Sequence, residues 1–446
     1  MTGERVPAAP PPGQPPPPPP PGQPPATPPT AEAAQPPDRA RIVVRDDLER
    51  SRLTVFFRII LVIPHLIVLG IFSVLALAIA FINWFAILFT GRALGHDMQA
   101  RYLRYFTHVD GYFNLAANPW PGFEGEPGSY PVDAQIPPPQ ERQNRWKTFF
   151  RLILAVPAIF LGSAFGASGV QGGVGNYRLS LGIIGTAAFL GWFAALIRGR
   201  MPRGLRDLVA YGLGYSVQVA AYMLLVTDRY PNSDPLYHDY GERPDDHPIR
   251  VSEDDDLRRS RLTVFFRLLL WLPHLVWLVL WGIAVLFTVI ANWFVTLFAG
   301  HPADVLHRFN GAYARYLTHA FSYLYLVANP FPGFVGKPGT YPIDLQIAGP
   351  ERQNRWKTGF RLILAIPALI VESALGNALF LVAVFGWFVG LILGRMPVGL
   401  RNLGVFALRY HAQAYAYLAL LTDRYPFSGP SLELVQAESP PLPEPA

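Results

Sequence analysis

The sequence of 446 residues contains no cysteine, which excludes disulfide frameworks, thiolate metal sites and cysteine nucleophiles together. Charge is also scarce: Asp, Glu, Lys and Arg make up 15% of the chain, against about 25% in ordinary soluble domains. No Gly-rich phosphate loop, His-Glu zinc pattern or nucleophile elbow is visible, so the chain is expected to be neither an enzyme nor a carrier of a metal or cofactor. The net charge of +6 comes from arginines that flank apolar blocks instead of forming a basic run. Such placement orients a protein in a membrane and offers no footprint for nucleic acid.

What the chain has instead is apolar length. Hydrophobic residues make up 51% and aromatic residues 13% of it. The blocks at 53–89 and 262–298 are nearly twice the roughly 20 residues that one spanning helix needs, so a lipid bilayer is the expected partner. The ends differ in kind. Residues 1–40, with an unbroken proline run at 15–21, have nothing to bury and read as a disordered Pro-rich tail, and 431–446 as a second one. The start lacks the basic, apolar and small-residue segments of a signal peptide, which places both ends in the cytosol.

The apolar blocks repeat. SRLTVFFR at 51–58 recurs at 260–267, ERQNRWKT at 141–148 recurs at 351–358, and ANPWPGF at 117–123 is matched by ANPFPGF at 328–334. The chain is therefore two tandem halves. Each half divides again, because one spacing of two arginines and a proline occurs at Arg52, Arg58 and Pro64, and at Arg145, Arg151 and Pro157. It returns at Arg261, Arg267 and Pro273, and at Arg355, Arg361 and Pro367. Every quarter then reaches a Trp-Phe pair and a glycine: Gly91, Gly199, Gly300 or Gly394. The expected repeat units are 41–140, 141–232, 233–349 and 350–430.

Within a unit, the second copy carries an insertion near 166–180, and insertions favour loops. The fourth places Glu372, Ser373, Gly376 and Asn377 at the same point. These features predict a hairpin of helices A (about 53–69 in the first unit) and B (about 73–89), with a turn near Gly70. The prolines are expected to kink helix A, and the glycines to cap helix B. A third, amphipathic helix follows, expected at the cytosolic interface with its tyrosines at headgroup level. Two spans per unit keep all four opening arginines on one side. The expected fold is thus an all-α integral membrane protein of four proline-kinked transmembrane hairpins, about 8 spans, with amphipathic interfacial helices. Short β-like cytosolic linkers are expected from Arg41 to Val44, from Ile249 to Ser252, and in YPVDAQI and YPIDLQI.

With SRLTVFFRIILVIPH, NWFAILFTGR, NPWPGFEGEPGSYPVD, ERQNRWKTFFRLILAVPA and LLVTDRYP in view, the chain resembles the bacterial family called domain of unknown function 4389, from about residue 41 to 426. The resemblance implies a membrane protein and carries no catalytic residues across.

Polar residues inside apolar blocks are the candidate sites. Arg58, Arg151, Arg267 and Arg361 are expected to snorkel to cytosolic headgroups as interfacial anchors. Units one and three carry a pair at one depth, His65 with Asn83 and His274 with Asn292, where units two and four have Ala158 with Gly191 and Ala368 with Gly386. The pairs are expected to hydrogen-bond across the hairpin and fix its register. The sharper alternative has the two histidines facing each other along a polar path. The functional expectation is a non-enzymatic scaffold or interaction protein of the cell membrane, with protein partners at its cytosolic linkers and Pro-rich tail. The alternative is a transporter or channel with two pseudo-symmetric halves.

Overall fold

The computed structural model describes residues 37–166, 169–173, 176–180, 182–241 and 247–431. The expected tails fall almost wholly outside the described residues. The first repeat runs β1 (Arg41–Val44), α1 (Arg52–Leu61), α2 (Ile63–Thr90), α3 (His96–Phe113) and β2 (Val132–Gln135). The second runs α4 (Arg145–Phe149), α5 (Arg151–Phe165), β3 (Gly169–Gly173), β4 (Asn176–Ser180), α6 (Ile183–Arg198) and α7 (Arg203–Met223). The third has β5 (Ile249–Glu253), α8 (Arg261–Phe265), α9 (Arg267–Ala299), α10 (Asp304–Leu324) and β6 (Ile343–Ile347). The fourth has α11 (Arg355–Gly359), α12 (Arg361–Leu393) and α13 (Val398–Leu418).

The chain is mostly helical, but the expected hairpins are absent. Helices α2, α9 and α12 are continuous over 28, 33 and 33 residues. No turn breaks α2 near Gly70, and Glu372, Ser373, Gly376 and Asn377 lie inside α12. A lone glycine costs a helix only about 1 kcal/mol, and an apolar segment gains by keeping its backbone bonds internal. In the second repeat, α5 and α6 are successive halves of the same rod. Gly182 lies against Gly166 so closely that a Cβ on it would overlap the Gly166 carbonyl oxygen, and both halves pack on α7. The insertion loops out between them as an antiparallel pair, with Gly169 opposite Ser180. The eight expected spans are not found among the described residues. Among the described residues, three helices, α2, α9 and α12, are long and apolar enough to cross a membrane.

The helix starts also differ from expectation. Pro157, Pro273 and Pro367 sit inside continuous helices. The break comes seven residues earlier, at Phe150, Phe266 and Phe360, and in the first repeat at Val62 beside Pro64. The glycine caps are as expected, with φ of 78°, 70°, 80° and 67° at Gly91, Gly199, Gly300 and Gly394. After each cap the chain turns back into the shorter helix α3, α7, α10 or α13, which packs against its own long helix.

The expected strands form. β1 pairs antiparallel with β2, Arg41 opposite Gln135, and β5 with β6, Ile249 opposite Ile347. They pack on the returning helices: Gly111 of α3 meets Val132, and Gly311 of α10 meets Ile347. Each returning helix is thus bracketed by a long helix and by a strand. That is why its tyrosines, expected at headgroup level, are buried instead: Tyr105, Tyr112, Tyr211, Tyr215, Tyr222, Tyr316, Tyr323, Tyr410 and Tyr417 are all core residues. The long helices of the even repeats meet, α12 on α5 and α6, which leaves α2 and α9 outermost.

Candidate membrane-binding face and the junctions beneath it

The long helices use a narrow stripe for packing. On α9 the buried residues are Arg267, His274, Leu278, Val285, Asn292 and Thr296. The rest is apolar and open from end to end: Leu268 is 74% exposed, Phe287 66% and Phe298 73%. Helix α2 repeats this with Ile71, Leu77, Phe81 and Phe89, and α12 with Leu362, Phe380 and Ile392. Side chains of this kind left in water forgo about 1.5–3 kcal/mol each that burial would supply. A face of this extent marks a lipid or protein contact.

Under this face the four arginines turn inward. Each is at most 3% exposed, so the snorkelling expected of them is replaced by a helix-capping role. Arg58 donates to the carbonyls of Tyr112 and Ala117, Arg151 to those of Tyr222 and Thr227, Arg267 to Tyr323 and Ala328, and Arg361 to Tyr417 and Thr422. Each guanidinium also lies over the ring of that tyrosine, at 4.3, 4.3, 3.9 and 4.2 Å. A cation at the C-terminal end of a helix completes unpaired carbonyls and complements its dipole. Arginine does this better than lysine because its fork reaches two oxygens at once.

Beside each arginine lies a second device that the repeats do not advertise. Each returning helix ends in a leucine with left-handed backbone, Leu115, Leu225, Leu326 or Leu420, at φ of 61–64°. Such a residue costs on the order of 1 kcal/mol and persists only when its surroundings fix it. Its carbonyl accepts a side-chain hydrogen bond from Arg50, Gln143, Arg259 or Gln353. The backbone N–H groups of these same four residues donate to Gly199, Gly91, Gly394 and Gly300 of the neighbouring repeat, at 2.8–2.9 Å. One residue thus ties the end of its own returning helix to the cap of the long helix of the other repeat in its half. The signal available in sequence was the polar residue two places before each opening arginine, arginine in odd repeats and glutamine in even ones.

The predicted His–Asn bonds are not made. His65 Nδ1 lies 2.9 Å from Tyr105 Oη and His274 Nδ1 lies 2.7 Å from Tyr316 Oη. Asn83 instead bonds both backbone groups of Leu94, and Asn292 accepts from Ala303 N–H. They hold the turn into the returning helix. Each imidazole is fully buried in aromatic rings of its own repeat: Trp120 and Phe123 around His65, Phe331 and Phe334 around His274, at 4.4–4.7 Å. The two share no neighbouring ring. In even repeats the equivalent tyrosines, Tyr215 and Tyr410, donate to the carbonyls of Ala158 and Ala368. Gly191 and Gly386 receive the sulfurs of Met201 and Met396 in the space a Cβ would take.

His108 and His319, expected at the interface with the rest of the third helix, are buried instead, in pairs with carboxylates that the sequence did not point to. His108 pairs with Asp133 at 2.8 Å and His319 with Asp344 at 2.7 Å, joining the returning helices to the strands. Asp344 also accepts from the backbone of Gly339 and Leu345, and although burial opposes its charge, these bonds hold its carboxyl below the usual range. In the fourth repeat Glu372, expected in a far-side turn, pairs with His411 at 2.6 Å on the wall of a cavity of about 380 Å³. No group of His, Asp and Glu suited to a metal ion occurs among the described residues.

The family described as Domain of unknown function (DUF4389) matches the chain four times, at 52–123, 177–233, 261–335 and 355–428, together more than half of it. The chain belongs to this family. The first, third and fourth matches each span a long helix and its returning helix, and the second spans α6 and α7. Neither the curated proteins nor the solved structures give a match.

Proposed function

We propose that the protein is a non-enzymatic scaffold of the cell membrane, held in lipid by its long helices and presenting its strands and linkers to cytosolic protein partners. The observation that carries this reading is the apolar face of α2, α9 and α12, open along the whole of each helix. Such a face demands an apolar partner, and hydrocarbon supplies one of sufficient extent. The linkers carry exposed charge, such as Glu126 paired with Arg101 at 3.4 Å, which suits reversible protein contact. In native membranes washed with high salt and then alkaline carbonate, the protein is expected in the pellet, released only by detergent. Photo-crosslinkers at Glu124 and Lys337 are expected to trap the same proteins in independent preparations. Release by carbonate sinks the membrane reading, and absence of any reproducible adduct sinks the scaffold reading.

A transporter is the second reading, and one place favours it. The Glu372–His411 pair lines a cavity with Ser373, Tyr325 and Phe321 between α10, α12 and α13, and an ionisable pair within an apolar layer is a default candidate for ligand or proton handling. If flux of ions or amphiphiles into proteoliposomes exists and is lost in Glu372→Gln and His411→Ala, this reading replaces the first. Flux unchanged in both variants removes its support.

A further inference from the structure

We infer that the long helices lie in the plane of the bilayer, embedded in the cytosolic leaflet, and do not cross it. This rests on the proposed membrane attachment and specifies its geometry.

Three observations converge. The first is the layering. Helix α10 follows α9 in reverse, with Tyr323 beside Arg267, Tyr316 beside His274, Asn310 beside Thr288 and Ala303 beside Asn292. On its other side α10 carries β6 at these same levels: Arg315 donates to the Leu345 carbonyl, His319 meets Asp344, and Gly311 meets Ile347. If α9 crossed the membrane, β6 and its partner β5 would stand in hydrocarbon beside it. The outward groups of this two-stranded sheet at Leu345 and Ile249 are met by the polar side chains of Arg315 and Gln413, and a sheet edge with such polar cover is not placed against hydrocarbon. The exposed pair of Arg101 on α3 with Glu126 would be stranded likewise. With α9 flat, the apolar face meets lipid and the strand layer meets water.

The second observation is length. Helices α9 and α12 have 33 residues, about 50 Å at 1.5 Å each, against a hydrocarbon core of about 30 Å. Their apolar exposure continues to both ends, where a crossing helix would emerge into water. A helix lying flat has no such limit.

The third is the placement of arginine. Arg52 opens α1 and donates to Ile197 at the end of α6, while Arg145 opens α4 and donates to Phe89 at the end of α2. Arg261 repeats the first contact at Ile392. Arg52 and Arg145 therefore mark opposite ends of the α1–α2 rod. Were that rod to cross, one would face the cytosol and the other the outside, against the bias of arginine for the cytosolic side. Lying flat, the rod keeps all four opening arginines at one headgroup level without hairpins.

The absence of native cysteine makes the test direct. Single cysteines replacing Leu269, Leu280 and Phe298, at the start, middle and end of α9, carry an environment-sensitive fluorophore. The full chain is reconstituted in phosphatidylethanolamine–phosphatidylglycerol vesicles containing lipids brominated either near the headgroup or near the chain end. Quenching at all three sites, with one ratio of shallow to deep loss, is the expected result. A ratio that favours shallow bromine at 269 and 298 and deep bromine at 280 overturns the in-plane geometry and leaves membrane attachment standing. No quenching from either lipid overturns both. As a second readout, Ser51→Cys and Glu141→Cys in sealed native vesicles are expected to react with an impermeant maleimide from the same side. Reaction from opposite sides overturns the inference even if α9 gives an ambiguous depth.

Discussion

At the scale of single residues, the decisive groups are arginines whose role cannot be guessed from their flanks. In Arg267→Met the carbonyls of Tyr323 and Ala328 lose their donor within a buried junction. Unfolding in detergent is expected to show a loss of about 2–4 kcal/mol, with Arg267→Lys recovering less than half because one ammonium cannot reproduce the fork or the stacking. A pH effect belongs to His238, whose Nδ1 accepts the Ile42 N–H in β1. Burial, and then the nearby Arg41 charge, bring this imidazole down to about 3. The fold accepts only the neutral ring, so its contribution is whole above the ordinary value near 6.5 and is lost as pH falls from there towards 3. Between pH 7 and 5 that loss is about 2 kcal/mol. Asp110 acts oppositely, since burial, against its bond from Asn114, pushes its carboxyl up to about 6 and the fold gains as that group protonates. Comparing thermal unfolding of the parent and His238→Asn at both pH values isolates the histidine: the parent is expected to lose more on acidification.

At the scale of elements, the loop after each odd returning helix docks through a glycine. At Gly336, with φ of 58°, a Cβ would overlap the Ala312 carbonyl oxygen and stand 2.8 Å from the Tyr316 nitrogen. Backbone cannot yield as a flexible side chain does, so Gly336→Ala is expected to cost at least about 2 kcal/mol in chemical denaturation and to loosen Phe334 from His274. The rod of the second repeat gives a contrasting case. Because Gly166 and Gly182 are already neighbours, deleting 167–181 is expected to leave circular dichroism per helix and membrane retention unchanged, with a melting temperature within about 5 °C of the parent. A large drop would show that the inserted strands brace the rod.

At the scale of the molecule, the halves meet through their even repeats. Helix α12 packs on α5 and α6, Phe406 meets Tyr211, and Asn402 donates to Asp234 at 2.8 Å. Residues 37–241 and 247–431 expressed as separate chains are therefore expected to co-purify in mild detergent. Asn402→Asp, which sets a second carboxylate against Asp234, is expected to weaken that association, read as a lower yield of the partner half. Recovery of each half alone would place the stabilising contacts within the halves.

The sequence by itself determined the fourfold repeat, the apolar blocks, the glycine caps, the third helix of each repeat and the places of the short strands. Each of these is written in local spacing or in a motif copied along the chain. It was misleading about the middle of each block, because a helix that is apolar all round carries no mark at which to fold back, and an insertion in one copy resembled a turn in all. Only the tertiary structure decided which face of Arg58 or His65 meets a partner. Those partners lie some 40–60 positions away, on a helix whose direction reverses at the glycine. The same reversal stacks long helix, returning helix and strand in order, and that order separates the side of the molecule suited to lipid from the side suited to water.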